Sequence, residues 1–216
     1  QDFKDFKIND FAAEFKWDGI RAQLIFSKTG KIFSRSGEDI TESFKDINTY
    51  NDNYVVVDGE IVIKKNNNIL SFNDLQKRIG RKKPSQKLLD EYPAHFILYD
   101  ILFFKNKDCR KFSWIERRKF LSSFFNSYLY KNKTFSISTL INFSSWKNLD
   151  FIKENALNNH VEGVVIKNKL SLYKKGRVAN CWYKWKRKPF SIDFVIMYAQ
   201  RGHGKRSSFY SDFTFG

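Results

Sequence analysis

Apolar residues gather in six stretches of the chain, residues 11–16, 22–27, 54–63, 95–104, 163–167 and 181–186, all rich in β-branched or aromatic side chains. That richness predicts strands, in which successive side chains point to opposite faces. Three stretches shift to a helical period. Ser71 followed by Asp74 forms a capping box ahead of residues 72–79, and Gly80 stands where a left-handed residue ends a helix. Ser113 followed by Glu116 opens a longer helix in which Leu121, Phe124, Phe125 and Tyr128 are expected to bury one face. Leu149, Ile152 and Ala156 repeat that spacing more weakly. Asn66, Asn67 and Asn68, flanked by lysines, read as a surface turn. Strands broken by isolated helices, without regular βαβ alternation, predict an α+β fold of mainly antiparallel sheets flanked by helices. The glycine-rich signatures of doubly wound nucleotide folds and P-loops do not occur.

A length of 216 residues suits one large domain with part of a second. The chain starts at Gln1 and its one methionine is Met197, so it reads as a piece of a longer protein. Pro189, after the basic stretch 184–188, marks a boundary between a domain at 1–190 and the truncated start of an all-β module at 191–216. No apolar run approaches the roughly 20 residues of a membrane helix and no secretory leader is evident, so a soluble, cytoplasmic monomer with no membrane partner is expected. Cys109 and Cys181 are far apart and expected to be reduced. With His95, His160 and His203 also scattered, no zinc or histidine metal site is proposed. The formal charge of +16 points to a polyanionic partner, although coding-composition drift would also enrich lysine.

Four segments carry candidate chemistry. In residues 14–21, alternation puts Glu14, Lys16 and Asp18 on one face, at a strand end where Asp18-Gly19 permits a sharp turn. Lys16 could act as a nucleophile if burial or a neighbouring cation such as Arg21 freed its amine; the same residues also fit an exposed hairpin with surface ion pairs. Asp58 and Glu60 project together from an apolar strand, with Gly59 admitting a close neighbour, and suit a hydroxyl or hard cation as well as they suit a solvated turn. Glu162 opens an apolar strand, where it is either a metal ligand or a solvated strand end. Lys184 and Lys186 share a face with Trp182 while Tyr183 and Trp185 pack behind, so an anion such as phosphate would relieve their repulsion; a solvated basic edge is the plainer account.

In this order, Lys-x-Asp-Gly-x-Arg, Asp-Gly-Glu, Glu-Gly-Val-Val-Ile-Lys and Trp-Tyr-Lys-Trp-Lys, the segments resemble the covalent nucleotidyltransferases: DNA ligases, RNA ligases and mRNA capping enzymes. Residues 33–41, 75–82 and 198–206 further resemble a bacterial and archaeal type of ATP-dependent DNA ligase. The resemblance implies a nucleotidyltransferase (ATP-grasp-like) adenylation domain followed by the start of an OB-fold. It implies Lys16 as the residue that takes AMP from ATP, Glu14 as the reader of the adenine amino group, and Arg21 and Glu60 near the ribose and phosphate. Glu60 and Glu162 would be carboxylates for Mg²⁺ or Mn²⁺, Tyr99 and Val165 would enclose the base, Lys184 and Lys186 would grip the α-phosphate, and Arg35 would hold the 5′-phosphate of nicked double-stranded DNA. Repair, replication and recombination are the settings such a ligase implies. Little or no sealing is expected of this stretch alone, because the family's last basic motif and its DNA-encircling domain are not in it. An RNA ligase, a capping guanylyltransferase, or a non-catalytic nucleic-acid-binding module would share most of these residues.

Overall fold

The structure is a computed structural model that describes residues 6–156, 160–176, 178–188 and 193–216. Two β-sheets dominate it. The larger has the order β3 (Lys31–Ser34), β2 (Ile20–Phe26), β4 (Val55–Lys65), β6 (Ala94–Phe104) and β7 (Lys107–Asp108), with β5 (Asn68–Ile69) on β4 and β8 (Phe135–Ile137) beside β6. The smaller has the order β11 (Trp182–Lys186), β10 (Val161–Asn168), β1 (Phe11–Trp17) and β9 (Leu140–Ile141). All named strand pairs but β6 with β8 are antiparallel. A separate hairpin, β12 (Ile196–Arg201) with β13 (Tyr210–Phe215), leaves Phe194, Met197 and Phe209 exposed. The boundary expected at Pro189 falls outside the described residues.

Each sheet buries one face. Leu24, Phe26, Val57, Ile61, Phe96 and Leu98 of the larger sheet pack with Leu121 and Phe124 of α3 (Trp114–Phe124). Phe11, Ala13, Val164, Ile166 and Tyr183 of the smaller one pack with Leu149 of α4 (Trp146–Glu154). Gly59 is required because a Cβ there would lie 2.4 Å from the Phe96 ring, which is the close neighbour its position in β4 admits. The Asn66-Asn67 turn holds both residues at positive φ (51° and 66°), as a tight hairpin demands.

Three helical expectations change. α1 (Phe72–Gln76) stops short of Ile79, and only tight turns continue to Gly80, whose φ is +73°. α4 stops at Glu154, leaving Ala156 outside it. Beyond Phe124 the chain runs as a π turn over Phe125–Leu129, so the wider repeat carries Leu129 to the core and turns Tyr128 outward, 46% exposed. The sequence pattern also omits α2 (Gln86–Glu91), capped by Ser85.

Candidate active site

The outward faces of the two sheets enclose a cavity of about 410 Å³, lined by β1, β2, β4, β6, β10 and β11. Cross-strand register builds its floor from two rows, Glu14 beside Val165 beside Lys184, and Lys16 beside Gly163 beside Lys186. Strand alternation then puts every second residue of three strands into one space. Two β-bulges complete the wall. Lys16 and Trp17 pair with Gly163 and Val161, so Glu162 is the extra residue of β10. Asp58 and Gly59 pair with Asp100 and Leu98, so Tyr99 is the extra residue of β6. Bulges of this kind re-aim single side chains beside sites. Gly163, at φ +152°, could not carry a side chain, since a Cβ would lie 2.2 Å from the Trp185 carbonyl oxygen.

At one end of the cavity two lysines share one carboxylate. The Lys16 ammonium pairs with the Glu162 carboxylate, which Lys186 also approaches at 3.6 Å. Asp18 is pushed up by burial and by Glu162; Glu162 is pushed up by burial but held net low by Lys16. Lys184 is pushed down by burial and then by Lys16 and Arg35. Burial lifts the Glu60 carboxyl to about 8, with Lys16 opposing and Asp58 adding to the shift. No group of three or more His, Cys, Asp or Glu is placed to hold a metal ion among the described residues. A largely buried carboxylate short of countercharge fits a hydrated divalent ion that draws its other ligands from phosphate and water.

The other end is locked. Glu14, 2% exposed, accepts from Lys167 at 2.9 Å, and the Lys167 ammonium lies 4.2 Å and 5.0 Å from the Trp182 and Tyr99 ring centres. Arg118 of α3 stands 3.6 Å from Glu14, and Arg117 makes a bidentate pair with buried Asp100. Tyr99 meets Trp182 edge-on at 6.1 Å.

Lys16, Glu14, Arg21, Glu60, Tyr99, Val165, Lys184 and the exposed Arg35 all line the cavity, while Glu162 pairs with Lys16 at its edge and Lys186 pairs with Glu162. Arg21 does not supply the charge expected beside Lys16. Its guanidinium donates to Asp58 at 3.1 and 2.6 Å and to the Tyr173 hydroxyl at 2.9 Å, and the Asp58 hydrogen bond raises its pKa. Asp58 is thereby committed to Arg21 and Tyr173, which donates to it at 2.9 Å, and it does not act jointly with Glu60. The sequence pattern assigns no role to Lys167, Arg118 or Tyr173. Lys167 closes the Glu-Gly-Val-Val-Ile-Lys segment and alternates with Val165, which is its signal; nothing local marks the other two. His95 is a core histidine bonded to the Lys133 carbonyl and Ser136 hydroxyl, and burial lowers it to about 4. Both cysteines are free.

Residues 1–186 match the family described as ATP dependent DNA ligase domain. Similar proteins include the "Probable DNA ligase" of Koribacter versatilis, 32% identical over 94% of this chain and 39% of that protein, and the "DNA ligase" of Thermoplasma volcanium, 31% identical over 92% and 36%. Among solved structures, mycobacterial DNA ligase D complexed with ATP and MES superposes with a TM-score of 0.68 at 22% identity, covering 97% of this chain and 63% of that one. A structure of the Lig E DNA ligases gives 0.69 at 18%, covering 98% and 75%. These two likenesses establish the α+β nucleotidyltransferase fold. The chain belongs to the ATP-dependent DNA ligase domain family. It spans less than two-fifths of the length of these curated relatives.

No helix among the described residues is long and apolar enough to cross a membrane.

Proposed function

We propose that this chain is the adenylation core of an ATP-dependent DNA ligase. The observation that carries the reading is the pair of floor rows, which bring Lys16 of β1 and Lys184 of β11 into one nucleotide-sized cavity with Lys186 at its edge. Lys16, once it has given up a proton, attacks the α-phosphorus of ATP; a phosphorus–nitrogen bond forms and the bond to pyrophosphate breaks. Lys184 and Lys186 neutralise the charge that builds on the phosphoryl oxygens. Tyr99 and Val165 enclose the base, Glu14 reads its amino group, and Arg21 positions the ribose. Glu60 and Glu162 would hold Mg²⁺ or Mn²⁺, which supplies charge neutralisation at the leaving pyrophosphate when bound. AMP then passes to the 5′-phosphate of nicked double-stranded DNA, held by Arg35, and the 3′-hydroxyl displaces it. We take residues 193–216 as the start of an OB-fold module.

Mass spectrometry after incubation with ATP and Mg²⁺ tests the reading. An AMP adduct is expected on Lys16, with loss of at least about 10³-fold in adduct formation for Lys16→Ala. Labelling by GTP in place of ATP would mean a capping enzyme, and an adduct elsewhere would remove Lys16 from its role.

A further inference from the structure

Two polar atoms at one end of the cavity lack a hydrogen bond. Glu14 Oε1 and Arg118 Nη1 are both buried, neither makes a hydrogen bond, and they stand 3.6 Å apart. Each belongs to a side chain whose other arm is fixed to the protein. Lys167 donates to Glu14 Oε2 at 2.9 Å, and Arg118 Nη2 donates to the Ser138 carbonyl oxygen at 2.6 Å. Ser138, Glu14 and Lys167 all line the cavity. The result is a held acceptor beside a held donor, and buried polar groups left this way are costly unless something arrives to pair them.

We propose that Arg118 is a base-reading residue, donating from Nη1 to the ring N1 of adenine while Glu14 accepts from the neighbouring 6-amino group. The proposal rests on the reading of the cavity as an adenine nucleotide site. Adenine presents a donor and an acceptor side by side, matching the pair. Guanine in the same orientation turns its 6-oxo oxygen toward the Glu14 carboxylate and its N1–H toward the Arg118 donor, so both contacts fail together. Discrimination by unpaired buried groups is far stronger than discrimination by shape.

Self-adenylylation of the unmodified chain with ATP, 1-deaza-ATP and 7-deaza-ATP tests it. Removing the ring N1 is expected to raise KM about 10- to 100-fold with kcat little changed, and removing N7 to change KM less than about threefold. Arg118→Met is expected to raise KM for ATP by a similar factor and to abolish the difference between ATP and 1-deaza-ATP, and Arg118→Lys to recover part of it. Equal KM for ATP and 1-deaza-ATP in the unmodified chain overturns the proposal, as does a penalty confined to 7-deaza-ATP, which would mean that the base docks by its other edge. Because Trp17 and Trp182 line the cavity, tryptophan fluorescence gives the same comparison as nucleotide binding. If no adduct forms with ATP but the deaza preference persists in binding, the adenylation reading fails and the base-reading pair stands.

Discussion

The two ends of the cavity are built from the same residue types and behave differently. At the base end, the side chains of Glu14 and Lys167 are each 2% exposed, and Asp100 and Arg117 at most 1%. At the phosphate end, those of Lys16, Glu162 and Lys186 are 18%, 29% and 66% exposed. Buried ion pairs commonly cost as much desolvation as they return, so a cluster of buried charges is an expensive way to support a pocket. It does fix one geometry, which under the proposed function suits a base that keeps its shape throughout the reaction. Partly exposed pairs cost little to open. Under the same proposal they suit phosphates that arrive, change charge and leave.

Disturbing the locked end gives the largest expected effect on the fold. Lys167→Met strands the Glu14 carboxylate, and chemical denaturation should show a loss of about 3–5 kcal/mol. Adding Glu14→Gln should return most of it. If the single substitution is neutral, the base end is not held by this pair and the contrast with the phosphate end collapses.

The next effect is smaller and depends on pH. The folded Glu60 carboxyl titrates at about 8, above its ordinary value of 4.5, so between these values the folded chain binds the extra proton. Stability therefore falls as pH rises from about 4.5 to about 8, then levels off. Glu60→Gln should remove that slope, melting on the order of 10 °C higher than the unmodified chain at pH 8.5 and level with it near pH 4. Because a divalent ion held by Glu60 would need the carboxylate form, adduct formation in the unmodified chain should climb as pH rises through about 8. A melting difference that does not change with pH would place Glu60 outside this account.

The smallest effect is expected between the two ends, where the Tyr173 hydroxyl joins Arg21, Gln23 and Asp58. Tyr173→Phe keeps the ring and releases Arg21 to move. It should raise KM for ATP about three- to tenfold while kcat stays within about twofold. A fall in kcat with unchanged KM would show that Arg21 works on the transition state and not on the bound nucleotide.

Strand positions and their chemistry were legible in the sequence because alternation is a local property. Glu14, Lys16, Lys184 and Lys186 were placed on their correct faces by counting in twos, and the capping box of α3 was visible as Ser113 with Glu116. The charge partners were not. Lys167 finds Glu14 across 153 residues, Tyr173 finds Asp58 across 115, and Arg117 finds Asp100 only because α3 lies on β6. The π turn at Phe125–Leu129 likewise leaves no mark that a helical period would reveal.

The sequence by itself determined which residues alternate, where helices begin and which ordered motifs the chain carries. All of these follow from steric and hydrogen-bonding preferences acting over a few neighbours. Tertiary structure alone decided that Glu162 and Tyr99 are bulged out of register, that Arg21 turns to Asp58 and away from Lys16, and that Glu14 and Arg118 each keep one atom without a hydrogen bond. Register between distant strands and competition among buried charges set these outcomes, and both depend on what the rest of the chain places nearby.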